Sequence, residues 1–229
     1  MHFPQFQGFE SFRPSLYDTV VHSYAHNSRL YSHLSEKADL ASIVEFLCWD
    51  AVQPPFNEYL RLWLPKAPDD LREKLMEHID VEERERHSLL FRQMHEYLLK
   101  IEPVRTTIDK KRLANLNYTF SGECANERDF GFFLGGFYAT EIMSAKRCEL
   151  LMQGLIRLGI GETFLEYLRI HAIADISHHL EILDLMIIPY LCEKPHEELS
   201  IWAGVRDRLE RSAEYLKWYE KNILGLIGS

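Results

Sequence analysis

Apolar residues recur every three or four positions along almost the whole chain, and no segment keeps the alternating pattern of a half-buried β-strand. This spacing predicts an all-α fold. The chain contains no internal repeat, no low-complexity linker and no shift in composition that would mark a domain boundary. We therefore expect a single-domain bundle of about seven helices over residues 1–229, with residues 1–14 as an N-terminal extension.

Capping and helix-breaking residues indicate where the helices begin and end. Asp39 suits an N-cap, and Pro54-Pro55 should break the helix that follows it. Asp69 and Asp70 favour the N-terminal end of the next helix. The helices expected from these signals run from Leu16 to Leu34 with an interruption near Asn27, from Asp39 towards Leu64, from Asp69 to Ile101, from Lys110 to Leu116, from Arg128 to Leu158, from Glu162 to Leu191, and from Pro195 to Ile227.

Composition and charge exclude several classes of protein. An aromatic content of 12% argues against intrinsic disorder, and a formal charge of −9 argues against nucleic-acid binding. The most apolar stretch, Ile182 to Cys192, contains Asp184 and Pro189 and is shorter than the roughly 20 residues that span a bilayer. The cysteines are widely spaced and the N-terminus lacks a signal-peptide pattern, so we predict a cytoplasmic protein with reduced thiols and no membrane partner.

Polar side chains occupy positions where the helical period predicts core. His171, Asp175 and His178 lie in the middle of an otherwise apolar stripe on the fifth long helix. Glu141 is the only charged residue in the stripe from Leu134 to Leu155 on the preceding helix. An unpaired buried charge is costly, so these groups must find partners.

The third long helix carries a further group of polar residues. Its period places Asp80, Glu83 and His87 on one face. The same period directs three other residues away from that face: His78, Glu82 and Glu85. Taken alone, this charged segment is also typical of a solvated helix face with i,i+4 ion pairs.

Three histidines and at least three carboxylates form a donor set that suits iron or manganese better than a structural zinc ion. His171 and His178 are separated by about 10.5 Å of helical rise, which would strain their convergence on one ion. Two ions about 3.5–4 Å apart would be reached more easily. We therefore favour a two-metal site with Asp175 between the histidines and Glu141 as a bridge.

Three sequence blocks carry a resemblance to a known superfamily. They are an acidic stretch ending in histidine (VEERERHSLLF), a lone helical glutamate (GFYATEIM) and the H-x3-D-x2-H pattern of HAIADISH. In this order they resemble the haem-oxygenase-like diiron oxidases and oxygenases, a superfamily that includes the TenA, PqqC and CADD-like proteins. The resemblance covers most of the chain beyond about Asp39.

The resemblance implies a seven-helix bundle that holds two irons, activates O2 and is often dimeric. One iron would be held by a carboxylate of the first block, His87 and Glu141. The other would be held by His171, Asp175, His178 and the shared Glu141, although this division between the irons is open.

The identity of the first-block carboxylate is also open. Helical phase favours Glu83, with Asp80 as the next choice. Glu82 would fit if the helix bulges.

The expected function is that of a non-haem diiron oxidase or oxygenase, with two Fe(II)/Fe(III) ions and O2 as cosubstrate. The resemblance implies a small-molecule substrate derived from an amino acid or a fatty acid, and an electron donor that the sequence does not name. Aromatic residues near Glu141 could line a pocket or simply pack the core: Phe132, Phe133, Phe137 and Tyr138. Those of the last helix could form a homodimer contact or a core face: Trp202, Tyr215, Trp218 and Tyr219.

Three alternatives remain on the sequence alone. A metal-free TenA-like hydrolase would use a cysteine nucleophile with a nearby acid. A non-catalytic helical binding module would use the buried histidines only for hydrogen bonds. A haem protein is disfavoured, because a cluster of carboxylates is a poor environment for a haem edge.

Overall fold

A computed structural model of the chain describes residues 9–104, 109–222 and 224–225. Over these residues the fold is all-α, as the periodicity predicts, and no strand occurs in them. The α-helices of the described residues are α1 Phe9–Val21, α2 Arg29–Glu36, α3 Leu40–Ala51, α4 Phe56–Arg61, α5 Asp69–Arg84, α6 His87–Ile101, α7 Lys110–Leu116, α8 Gly122–Glu127, α9 Phe130–Arg157, α10 Glu166–Glu181, α11 Ile188–Glu193 and α12 Glu198–Asn222. They outnumber the seven expected because several predicted helices are interrupted.

Several predicted helix ends are confirmed. The Asp39 carboxylate accepts a hydrogen bond of 2.9 Å from the backbone N–H of Ser42 and caps α3. Pro54 and Pro55 separate α3 from α4. The short helix expected between Lys110 and Leu116 is present with those bounds as α7.

The N-terminal region differs from its prediction. Helix α1 begins at Phe9, inside the segment expected to be an extension, and contains Pro14. The predicted interruption near Asn27 is present, because α1 ends at Val21 and α2 begins at Arg29. The first eight residues of the expected extension, and Ile227 at the expected end of the last helix, lie outside the described residues.

The helix predicted from Asp69 to Ile101 is broken in two. Helix α5 ends at Arg84 and α6 begins at His87. Between them Arg86 has a φ of 57°, in the left-handed region that non-glycine residues seldom adopt. Because of this break, the regular spacing of side chains around a single helix axis does not extend from α5 into α6.

The helix predicted from Glu162 to Leu191 is also irregular. After a 3₁₀ turn at Glu162–Phe164, α10 continues into a π-helical segment, Ile182–Ile187, and then into α11. π-helical turns within α-helices are often found at functional sites.

Helix α9 lies in the middle of the core and packs against both α10 and α12. The approach to α12 is close because glycines face each other across it. A Cβ placed on Gly204 would lie 1.9 Å from the backbone oxygen of Phe132, and one placed on Gly135 would lie 2.0 Å from the oxygen of Ile201. The close packing of α9 against α12 fixes the position of α9, which also packs against α10.

Most of the aromatic side chains whose role the sequence left open are buried in the core, whereas Trp202 and Trp218 are partly buried against it. Tyr215 and Tyr219 of α12 are buried against Trp49, with ring centroids 5.5 and 6.4 Å from it. The four aromatic residues before Glu141 are buried core residues: Phe132, Phe133, Phe137 and Tyr138. Among the described helices, none has both the length and the apolarity needed to cross a membrane.

Candidate metal centre

Seven potential metal-ligating side chains from α5, α6, α9 and α10 meet in the interior. In three overlapping groups, the ligand atoms of each group lie within 4.8 Å of one another. The members are His78, Glu82, His87, Glu141, His171, Asp175 and His178.

The first group joins Glu82 at the end of α5, His87 at the start of α6 and His171 of α10. The Nδ1 atom of His87 lies 2.7 Å from Oε2 of Glu82, and its ring centroid lies 4.6 Å from that of His171. His87 is only 3% exposed. Because Arg86 breaks the helix immediately before His87, α6 begins in a direction that brings this imidazole to Glu82.

The second group joins Glu141 of α9 to Asp175 and His178 of α10. The His178 Nδ1 atom lies 3.5 Å from a carboxylate oxygen of each acid, which is longer than a well-formed hydrogen bond. Oδ2 of Asp175 and Nδ1 of His178 are buried and make no hydrogen bond. Buried polar atoms without partners are unusual, and a bound cation would satisfy them.

His78 connects the two groups. Together with Glu82 and His178 it forms the third group, and its ring centroid lies 5.2 Å from that of His178. Glu82 therefore belongs to the first and third groups, and His178 to the second and third. The donor atoms form one continuous cluster, as a site for two neighbouring ions requires.

The orientation of His171 leaves one ring nitrogen available. Its Nδ1 lies 2.8 Å from the backbone oxygen of Tyr167. A carbonyl oxygen can only accept, so Nδ1–H is the donor and Nε2 carries the free lone pair. Metal-binding histidines are commonly oriented by a hydrogen bond of this kind.

The electrostatics of the second group also fit a cation. Burial, and then the nearby charge of Asp175, raises the pKa of Glu141 to about 8. Burial disfavours the charged form of His178, but the adjacent carboxylates of Asp175 and Glu141 outweigh this effect and raise the pKa of His178 to about 10. The acids therefore depend on positive charge in the cluster to remain ionised. Bound metal ions would supply that charge.

The structure brings five of the six predicted ligands into this cluster and leaves Glu83 outside it. Oε1 of Glu83 accepts hydrogen bonds from Arg61 Nη2 at 2.5 Å and Asn57 Nδ2 at 2.9 Å, and its side chain is 47% exposed. Asp80 is exposed as well. Glu82 occupies the position expected of Glu83, because the helical phase used for that prediction does not continue through the break at Arg86.

Two further features of the cluster differ from the expectation. His171 lies with Glu82 and His87, whereas the resemblance implied that it joins Asp175 and His178. His78, which the helical period directed away, is part of the cluster. Its i,i+4 spacing to Glu82 is the sequence signal that could have found it, since residues four apart share a helix face.

A comparison with known families places the cluster in context. The sequence matches the family of iron-containing redox enzymes over residues 51–213, a range that includes every residue of the cluster. The chain belongs to this family. The match confirms the resemblance to the haem-oxygenase-like superfamily. A separate search of curated proteins found no match to the chain.

This iron-containing redox enzyme has a cavity of about 370 Å³ beside the cluster. Five cluster residues line it: Glu82, His87, Glu141, His171 and Asp175. Its other walls include aromatic side chains, such as Phe56, Phe91 and Phe120, and exposed residues of α6 at its margin, Arg92 and Glu96. A molecule in the cavity would lie directly against the donor atoms of the cluster.

A thiol and an imidazole also meet near the cavity. Sγ of Cys48 lies 3.3 Å from Nε2 of His95, and His95 lines the cavity. Burial raises the pKa of the Cys48 thiol, with a smaller effect from Glu45, and burial lowers the pKa of His95. Both directions favour the neutral thiol over the thiolate nucleophile that a TenA-like hydrolase would need.

Proposed function

We propose that this protein is a non-haem diiron oxidoreductase, an O2-dependent oxidase or oxygenase that acts on a small molecule. The observation that carries the proposal is the buried cluster of histidine and carboxylate donors, in overlapping groups, at the wall of a cavity. Nitrogen and oxygen donors of this kind suit iron. Membership of a family of iron-containing redox enzymes supports the same interpretation.

The proposed division of ligands follows the groups in the structure. Glu82, His87 and His171 would hold one iron, and Glu141, Asp175 and His178 the other. His78 is proposed as a further ligand because it contacts members of both groups.

When bound, the two irons would supply the electrons and the coordination positions for O2. The protein's own residues set the geometry around them. The Tyr167 carbonyl holds the His171 ring in place, and the carboxylates balance the positive charge of the ions. The cavity, of a size typical of small-molecule sites, holds the substrate against the cluster.

The remaining expectations from the sequence belong to the same proposal. We propose a substrate derived from an amino acid or a fatty acid, a separate electron donor, a cytoplasmic location and a homodimeric assembly.

The test is anaerobic loading of the purified chain with Fe(II), followed by counting of bound iron and mixing with O2. We expect up to two irons per chain and O2 uptake, with a visible absorption transient, that depends on the bound iron. Glu141→Ala and His178→Ala should each lose most of the iron. Glu181→Ala, an exposed residue at the end of the same helix as His178, is the matched control and should retain it.

Unchanged iron in both ligand variants would refute the proposed site. Full hydrolytic activity of an iron-free chain would favour the TenA-like alternative instead.

A further inference from the structure

Two arginines from different helices line the cavity beside the metal cluster. Arg147 of α9 has Nη1 3.4 Å from both carboxylate oxygens of Asp50, which also lines the cavity. The Nε atom of Arg147 is buried and makes no hydrogen bond. The ion pair with Asp50 is therefore loose, and the guanidinium retains unused donor capacity.

Arg208 of α12 has only neutral partners. Its Nε donates to Oγ1 of Thr140 at 3.0 Å, and its Nη1 donates to the backbone oxygen of Leu116 at 2.7 Å. No carboxylate of the described residues lies within ion-pair distance of Arg208. Burial, and then the charge of Arg147, lowers its pKa to about 10, so it remains protonated at neutral pH. Asp207 and Asp50 act on Arg208 only from a distance, and Asp207 is itself paired with Arg211. Among the described residues, the charge of Arg208 therefore lacks a direct ion-pair partner, an arrangement that costs free energy.

The two arginines and Asp50 leave this part of the wall with one positive charge in excess. A guanidinium presents parallel N–H donors whose spacing matches a carboxylate. The hydroxyl groups of Ser144 and Ser212 line the same cavity and offer further hydrogen bonds. A single carboxylate would balance the excess charge, whereas a phosphate dianion would exceed it.

The position of the arginines fits a substrate that reaches the metal cluster. Arg208 donates a hydrogen bond to Thr140, the residue before the proposed ligand Glu141. Arg147 follows Glu141 by six residues, about 9 Å of helical rise. A carboxylate held by these arginines would place the carbons next to it near the cluster. Tyr31, Phe46 and Tyr215 add aromatic surface to the same cavity.

We propose that Arg208, together with Arg147, binds the carboxylate of the substrate and thereby determines its class. This inference rests on the proposed function, because it concerns the molecule oxidised at the cluster. Fatty acids and amino acids share the carboxylate. Asp50 could in addition accept a hydrogen bond from an α-ammonium group.

The experiment is a binding titration of the full chain, both iron-free and loaded anaerobically with Fe(II), so that no turnover occurs. The probes are octanoate and 2-aminooctanoate, each compared with its primary amide. Each acid should bind at least about 10-fold more tightly than its amide in both forms of the protein. A preference for octanoate over 2-aminooctanoate would indicate the fatty-acid source, and the reverse preference would indicate the amino-acid source.

Variants connect this selectivity to the arginines. Arg208→Gln should weaken binding of the preferred acid by roughly 10- to 100-fold and leave binding of its amide nearly unchanged. Arg206→Gln, at an exposed position of the same helix, is the matched control and should bind like the unmodified chain. Arg147→Gln provides a second test if loss of the Thr140 and Leu116 contacts prevents Arg208→Gln from folding.

Equal affinity for acid and amide, or absence of binding by either acid, would overturn the inference. The inference would also be overturned if the preference for acid over amide appeared only in the iron-loaded protein and persisted in both arginine variants. The carboxylate would then bind the metal and not the arginines. Iron content is measured in the same samples. Normal iron with no selectivity refutes the arginine site alone, whereas lack of iron in the unmodified chain refutes the proposed function.

Discussion

Replacing two adjacent glutamates provides the sharpest test of the metal cluster. Glu82→Gln and Glu83→Gln make the same chemical change at neighbouring positions of α5. Glu82 lies 2.7 Å from His87 and belongs to two of the three donor groups, whereas Glu83 pairs with Arg61 at the surface. We expect Glu82→Gln to lose iron and Glu83→Gln to retain it.

The size of each effect follows from these contacts. Removing a residue that only supports a metal ligand typically costs 10- to 100-fold in metal affinity, so loss of the proposed ligand Glu82 should cost at least about 100-fold. In the iron-free chain, the buried contact of Glu82 with His87 is worth roughly 1.5–3 kcal/mol as a charge-assisted hydrogen bond. The pair of Glu83 and Arg61, with both side chains about half exposed, should contribute only about 0–1 kcal/mol.

The assay combines iron counting, affinity by competition with a chelator, and urea unfolding of the iron-free proteins. Glu82→Gln should bind fewer irons with weaker affinity and show a lower free energy of unfolding. Glu83→Gln should resemble the unmodified chain in all three. The opposite result, with iron lost only in Glu83→Gln, would show that Glu83 is the first-block ligand and that the described geometry of the cluster is wrong.

Three other outcomes are expected. His78→Gln should lower the iron count or weaken binding of one ion, and two irons bound at unchanged affinity would exclude His78 as a ligand. The pKa values of Glu141 and His178 are raised to about 8 and about 10, so iron must displace protons from both groups when it binds. Iron affinity measured by competition should therefore increase from about pH 6 to about pH 8. An affinity that does not change with pH would contradict this. Gly204→Ala should lower the free energy of urea unfolding by about 1–3 kcal/mol or more, since its Cβ would lie 1.9 Å from a backbone oxygen. A Cβ on Gly122 would meet nothing within 4 Å, so Gly122→Ala should change the free energy of unfolding little. Equal losses in the two variants would refute the close approach of α9 and α12.

Features that depend on one regular helix could be predicted from the sequence. His171, Asp175 and His178 are separated by three and four residues on α10, so helix geometry alone places them on one side. Glu141 stood out because its stripe is otherwise apolar. The helix caps were predictable for a similar reason, since a cap depends on residues within one turn of the helix end.

Features that depend on contacts between distant helices could not be predicted in this way. Arg147 and Arg208 are 61 positions apart in the sequence, on α9 and α12, and nothing local shows that they line one cavity. The partnership of His171 with Glu82 and His87 likewise depends on how α10 packs against the junction of α5 and α6. The period of each helix reports which face is buried but not which residue of another helix it meets.

The position of Glu83 outside the cluster has a cause that connects backbone and site. In one uninterrupted helix Glu83 and His87 would share a face, whereas Glu82 and His87, five residues apart, would differ by about 140° around the axis. The left-handed conformation of Arg86, which costs roughly 1–2 kcal/mol for a residue with a Cβ, removes this constraint. Strain of this kind persists only where the surrounding structure holds it in place, and here it lies next to His87. The break is therefore the local feature that makes Glu82, His87 and His171 a group, and it explains why a regular period selected the adjacent glutamate.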